Sequence, residues 1–286
     1  MAKRKRTERQ ELQVRAAREM SVYKRDDMIQ KARHRLSTRE QKCVLYAISK
    51  IKPTDTAFDE FIFDIKDFYM MCGLTDDSYT ELKGILKGLS DKSWWAEIDD
   101  QGTESLLRWF NTVRSNKRSG KVTIKFHEDM MPFLLQLTEQ NTFFTQYNLQ
   151  YVLPMQSQYS PRLYEILKSY QKNNLEWFFE TDRLKELLDC KNYDRWPDFR
   201  RFALEPAVKE INKFSDINIA YDVEREGRKV TRVIFYMADK KPEALIEAKR
   251  AIQEKLDGQL TIDEIIANFD EEDSVKRKFM RENAPE

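Results

Sequence analysis

One order of elements occurs twice in this chain, and no other feature narrows the choice of folds as far. The second copy reads most clearly. A helix from Ser160-Pro161 puts Leu163, Tyr164, Leu167 and Tyr170 on one stripe, with Ser160 as the expected N-cap and Pro161 at the first helical position. Trp177-Phe178-Phe179 is a short strand. Thr181 is placed to cap a helix that contains Leu184, Leu187 and Leu188, and 191–195 is a turn. A further helix spans 197–213, with Phe199, Phe202, Ala203, Ala207, Ile211 and Phe214 inward; Pro206 inside it predicts a kink or a break. Ile217, Ile219, Tyr221 and Val223 then alternate as a strand, Arg225-Glu226-Gly227-Arg228-Lys229 turns, and 230–237 returns.

The earlier copy begins at Ser37-Thr38-Arg39-Glu40, a capping box, and its helix carries Val44, Leu45, Ile48 and Ile51 on one face. Phe61-Ile62-Phe63 is the short strand. Asp64 is offered as the cap of the next helix, which stops near Gly73, and Asp76 or Asp77 as the cap of the one after. That third helix turns Tyr79, Leu82, Ile85, Leu86 and Leu89 inward and Lys83, Lys87 and Lys92 outward. Strand patterns cover 93–98, 105–113 and 121–126, with a turn at Asp99-Asp100-Gln101-Gly102 and a basic hairpin tip over 114–120. Helix, strand, helix, helix, hairpin is the order of a winged helix. The expected fold class is α+β: two tandem winged-helix (helix-turn-helix) domains related by an internal pseudo-repeat, plus a charged helical C-terminal tail. The expected boundaries are a basic arm over 1–20, domains over 21–137 and 138–240, and a partly disordered tail over 241–286, with helices at 242–256 and 261–269. The link over 141–155 is rich in Phe, Tyr and Gln, so Phe143, Phe144 and Tyr147 read as interdomain core.

Charge is the next constraint. Lys and Arg number 50 against 49 Asp and Glu, so only the distribution speaks. Residues 1–42 hold 14 basic and 6 acidic side chains, 108–125 hold 6 basic and none acidic, and 241–286 hold 8 basic and 12 acidic. Cys43, Cys72 and Cys190 lack paired or metal-type spacing and read as core residues in a reducing compartment. No apolar run is long enough to span a membrane and no signal segment leads the chain, so a cytoplasmic protein is expected. An enzyme that nicks DNA would need a nucleophilic Tyr and a metal held by clustered His. The two histidines, His34 and His127, lie far apart, and His127, between a strand and a helix, suits a turn or cap. There is no Walker loop. Neither cofactor, metal site nor catalytic residue is expected.

What remains is binding. The second helix of a helix-turn-helix enters the major groove and the wing touches backbone. In the second module Asp198, Arg200 and Arg201 are placed for base or nearby backbone contacts and Lys209 lies further along the same helix, with Asn212 and Lys213 also exposed. Lys191, Asn192, Tyr193 and Arg195 in the preceding turn are candidates for phosphate or base. Arg225, Arg228 and Lys229 in the wing suit sugar-phosphate. The first module offers Lys83 and Lys87 on its third helix and Arg114, Lys117 and Arg118 in its wing; lysine suits phosphate better than base readout, so this module supplies affinity and the second specificity. For any one of these side chains a solvated surface is the ordinary reading, and acids are interleaved with them. The weight lies in their joint placement. A dimeric transcription repressor without an origin role and a protein-interaction module both stay open.

Four segments in order resemble one family: 36–42 (Leu-Ser-Thr-Arg-Glu-Gln-Lys) with 45–49 (Leu-Tyr-Ala-Ile-Ser); 159–168 (Tyr-Ser-Pro-Arg-Leu-Tyr-Glu-Ile-Leu-Lys); 204–207 (Leu-Glu-Pro-Ala) with 210–212 (Glu-Ile-Asn); and 227–230 (Gly-Arg-Lys-Val). They are similar to the iteron-type plasmid replication initiators, over roughly 22–237. The resemblance implies binding of direct repeats in double-stranded origin DNA as a monomer, dimerisation through the first domain with repression of the protein's own promoter, origin opening, and recruitment of host DnaA and of the replicative helicase or its loader.

Overall fold

The computed structural model describes residues 8–73, 79–97, 101, 103–139, 143–172, 174–190 and 192–257. Three elements precede the first module: α1 (Glu8–Arg18), β1 (Ser21–Arg25) and α2 (Asp26–Lys31). The module itself comprises α3 (Thr38–Ile48), β2 (Phe61–Asp64), α4 (Ile65–Met71), α5 (Tyr79–Ser90), β3 (Ser93–Glu97), β4 (Glu104–Arg108), β5 (Phe110–Asn116), β6 (Lys121–Phe126) and the one-turn α6 (Met131–Leu134). β7 (Phe144–Asn148) leads to the second module: α7 (Ser160–Gln171), β8 (Glu176–Glu180), α8 (Thr181–Leu187), α9 (Trp196–Phe199), a π-helical turn (Arg200–Leu204), α10 (Glu205–Phe214), β9 (Ile217–Glu226) and β10 (Lys229–Asp239). Last comes α11 (Pro242–Asp257).

The pseudo-repeat holds at the level of strand register. In each module the short strand between the first two helices joins the second strand of the wing, giving the orders β2-β6-β5 and β8-β10-β9, all antiparallel. Phe63 pairs with Val122 in the first sheet and Phe179 with Val233 in the second, and all four are buried against the helices. The next residue, Asp64 or Glu180, is the N-cap position of the following helix, α4 or α8. Phe63 and Phe179 therefore hold equivalent positions, and the two sheets share register around them up to their separate bulges, at 110–112 in the first and 230–232 in the second.

Local details depart from the sequence pattern. The capping box at Ser37 forms as expected: Glu40 N donates to Ser37 Oγ at 3.3 Å and Ser37 N donates to Glu40 Oε2 at 2.7 Å. Asp64 occupies its cap position but accepts no cap hydrogen bond. Ser160 is not the cap of α7; Tyr159 is, and Ser160 Oγ donates instead to Glu210 at 2.6 Å. Thr181 is likewise inside α8, behind Glu180. The single strand expected over 105–113 breaks at Trp109. β4 pairs with β3 in a two-stranded sheet of its own while β5 joins β6, because Trp109 turns inward to pack, tilted, against Trp94 at 4.3 Å between centroids. The expected caps Asp76 and Asp77, most of the 99–102 turn, the basic run Lys3-Arg4-Lys5-Arg6 and the tail from 258 onward lie outside the described residues.

The expected domain boundary is bridged by structure. β1 pairs with β7 along its whole length, and α2 packs on α7. Inside this seam Lys24 Nζ lies 2.6 Å from Glu165 Oε1, Tyr147 OH donates to the same oxygen at 2.5 Å, and Arg162 Nη2 donates to Ala32 O at 2.6 Å. Lys24 and Glu165 are both almost fully buried; burial holds the Lys24 amine below its usual value, and Glu165 opposes that shift. A charge this deep persists only with a partner. Of the expected interdomain aromatics Tyr147 is buried and Phe144 half-buried, but Phe143 is 75% exposed.

The two ends of the described chain meet on the first module. α1 is not a free arm: Val14 is buried, and Arg18 is clamped. Its Nε and Nη2 donate to Met71 O and Met70 O at 2.9 and 2.7 Å, satisfying carbonyls at the C-terminus of α4, while Nη1 donates to Asp257 at 2.7 Å. α11 buries Ala248, Ile252 and Leu256. Gly73, at φ +68°, lets Leu256 approach; a Cβ there would stand 2.8 Å from the Leu256 Cα.

Candidate nucleic-acid interface

The helix of the second module expected to enter the major groove, its reading helix in that expectation, is continuous from α9 through α10, but with one extra residue in its middle. Pro206 has no N–H and its ring crowds the preceding turn. The strand of hydrogen bonds steps to i−5 there, with Glu205 N donating to Arg200 O, and the helix runs on without a break. This widening re-aims the side chains before it. Phe199, Ala203, Leu204, Ala207, Ile211 and Phe214 face the core, whereas Phe202, expected inward, is 50% exposed. Phe202 stacks on Tyr193 at 6.0 Å and carries the Arg201 guanidinium 5.3 Å from its ring centroid. Tyr193 also meets Tyr159 edge-on, so its ring is committed to packing.

The N-terminal half of this helix and the wing close on one another. Trp196, Pro197, Arg200, Arg201, Glu205, Arg225 and Arg228 line a single open cleft. Gly227, at φ +60°, makes the wing turn possible.

The interleaved acids turn out to have internal duties. Glu205 holds Arg200 at 2.7 Å, and Asp198 lies 3.7 Å from Arg195. Glu210 accepts from Gln156 N, Ser157 N and Ser160 Oγ, tying the reading helix to the start of α7. Lys229 is 3.9 Å from Asp182. Among the described residues Arg201, Lys209, Arg225 and Arg228 are left exposed with no acidic partner. Asn192 is exposed in the turn, and Lys191 lies outside the described residues. Asn212 is not a surface reader: its Nδ2 donates to Ile219 O at 2.8 Å and its Oδ1 accepts from Ile219 N at 2.7 Å, pinning the helix to β9. Sequence reasoning assigned no role to Glu210 or Arg18; a helical glutamate and an N-terminal arginine give no signal of the distant backbone atoms they hold.

In the first module Lys83 and Lys87 lie exposed on α5, Lys87 paired with Asp91 at 2.6 Å. Lys117 and Arg118 occupy the exposed wing turn, which Asn116 Oδ1 braces by accepting from Arg118 N and Ser119 N. Arg114 stands lower, on the outer face of the sheet, paired with Glu60 at 2.7 Å. The histidines and thiols have structural surroundings. His127 Nδ1 accepts from Asp129 N at 3.3 Å in a cap. His34 is half-buried against Trp94 and Trp109, with its pKa pushed well below the usual value by desolvation and by the nearby Arg162 and Lys24 charges. The three thiols are buried, and burial pushes Cys72 up to about 11. Among the described residues no helix is long and apolar enough to cross a membrane.

Two family models match the chain: residues 21–168 match one described as Initiator Replication protein, WH1, and residues 180–237 one described as Initiator Rep protein, WH2. The chain is 25% identical over 231 residues to a replication initiation protein of Escherichia coli, covering 76% of this chain and 69% of that one. It is 27% identical over 146 residues to the PI protein of Escherichia coli, covering 46% of this chain and 47% of that one. The crystal structure of the Pi initiator protein in complex with iteron DNA superposes with a TM-score of 0.65 at 22% identity, over 78% of this chain and 99% of that one, a likeness of fold.

Proposed function

The chain belongs to the initiator replication protein family, and we propose that it starts replication of a plasmid by binding iterons, direct repeats of duplex origin DNA, with both winged helices. One observation carries the DNA-binding reading: Glu205 and Glu210, the acids of the reading helix beyond its first turn, are held by internal bonds, and Arg201, Arg225 and Arg228, without an acidic partner among the described residues, share the cleft between reading helix and wing. The related Pi initiator was solved with iteron DNA, which supports the same ligand here. Arg201 and the neighbouring turn read bases, the wing residues Arg225, Arg228 and Lys229 hold backbone, and Lys83, Lys87, Lys117 and Arg118 of the first module add phosphate contacts. Two reading helices about one helical turn apart cover roughly 20 bp.

The finer steps are part of the proposal. Binding opens the origin and brings in host DnaA and the replicative helicase or its loader, with no chemistry performed by the chain, and a dimer represses the protein's own promoter in the cytoplasm. For the dimer, the β3–β4 hairpin of the first module is the supporting feature: Trp95 and Leu106 face each other across its strands, 58% and 43% exposed, and neither strand has a second neighbour among the described residues. The test is transformation of a host with DNA carrying only this gene and its flanking repeats. Autonomous replication, lost on Arg201→Ala, is expected. Repeat binding without replication supports a repressor instead, and site-specific relaxation of supercoiled origin plasmid overturns the non-enzymatic reading.

A further inference from the structure

The two sheets share one register, so their outer faces can be compared residue by residue. Across the first sheet runs the row Ile62–Thr123–Arg114; the equivalent row of the second is Phe178–Ile234–Asp222. Ile62 and Phe178 hold the same position and are 55% and 50% exposed. The charges around them differ. On the first face Arg114 is occupied by Glu60, and the lysines flanking the row are the exposed Lys121, which stands opposite Asp64 in register, and the half-buried Lys125. On the second, Arg232 is shared by Glu180 and Glu224, and the carboxylates without a cation are Glu176 and Asp222. One framework thus presents a basic rim with an apolar centre on the first module and an acidic rim with an apolar centre on the second. Both faces are open in the single chain, so neither covers the other.

We propose that the outer sheet face of the second module docks on the outer sheet face of the first module of another copy of this chain. The charge signs match, and Ile62 meets the larger patch formed by Phe178, Ile234 and the 39%-exposed Tyr236. The acidic rim sets this face of the second module apart from the DNA-facing cleft. The contact joins two different patches, so it is heterologous and does not close at two copies; each added copy presents the next free face. Its biological use rests on the iteron reading, because tandem direct repeats place neighbouring copies in one orientation and every junction can make the same contact.

The test uses the full chain without DNA, so that loss of this contact and loss of iteron binding are read separately. Sedimentation velocity over a concentration series is run on wild type, on Lys121→Glu/Lys125→Glu, on Glu176→Lys/Asp222→Lys, and on the two variants mixed in equal amounts. The wild type is expected to exceed the dimer mass at low salt and to fall back at high salt. Each variant alone, carrying two faces of like sign, stays at or below the dimer mass. The mixture regains the larger species, which also shows that both variants are folded. A wild type that never exceeds the dimer mass, variants that assemble as it does, or a mixture that fails to regain assembly each overturns the proposal.

Discussion

Arg201→Ala is the substitution on which the interface stands or falls. Arg201 is exposed, has no acidic partner among the described residues, and rests on Phe202 at the mouth of the cleft, so no carboxylate among the described residues competes for its guanidinium. If it reads a guanine edge, its removal costs about 1–3 kcal/mol, or about 5- to 150-fold in Kd, on the direct repeat. On a scrambled duplex the loss is small, because base readout contributes little there. Arg200 makes the internal comparison: it must loosen its bond to Glu205 before reaching DNA, so Arg200→Ala loses less than Arg201→Ala. Arg228→Ala behaves differently again. It weakens both duplexes alike and makes the slope of log K against log salt shallower by about 0.9, the signature of one phosphate contact. Fluorescence anisotropy on both duplexes over a salt series measures all three variants. Thermal unfolding is the control, since these exposed side chains should change stability by no more than about 0.5 kcal/mol. If Arg201→Ala weakens repeat and scramble equally while Arg228→Ala relaxes sequence preference, the wing and not the helix reads the bases.

The buried seam gives a stability prediction: Lys24→Met takes from Glu165 its ion-pair partner, leaving the Tyr147 hydrogen bond and the more distant Arg162 charge, and should cost about 3–5 kcal/mol in urea unfolding, much of it recovered by Lys24→Met/Glu165→Leu. Asn212→Ala removes two bonds to Ile219 and should cost about 1–3 kcal/mol by the same measurement; a neutral result would return Asn212 to the surface. His34 supplies a pH dependence. Its folded pKa is depressed, so below pH 6.5 the unfolded chain binds the extra proton and stability falls with falling pH, by up to about 1.4 kcal/mol per unit. His34→Phe should flatten that part of the stability–pH curve; an unchanged slope would assign the titration to another group.

The fold was legible because it depends on short-range pattern. Apolar spacing, the capping box at Ser37 and the alternation in 121–126 and 217–223 report on neighbours within a few residues, and their repeated order is enough to identify two winged helices and the helix and hairpin that each presents outward. The outward cations Arg201, Arg225, Arg228, Lys117 and Arg118 follow from the same periodicity. What the order of elements does not encode is which distant group each polar side chain meets. Pro206 announced a disturbance, but only the packed helix chose a π turn over a break, and that choice exposed Phe202. Glu205 and Glu210 counted in sequence as charges opposing DNA; the tertiary structure spends them on Arg200 and on the amides at the start of α7. Asn212, outward by helical spacing, is consumed by Ile219. The seam between modules was beyond pattern altogether, since β1 and β7 are separated by the whole first domain and Lys24 and Glu165 by 141 positions. Sequence determined the elements and their outward charge, for these are set locally; the tertiary structure decided which charges remain free to bind, because that depends on contacts made across the fold.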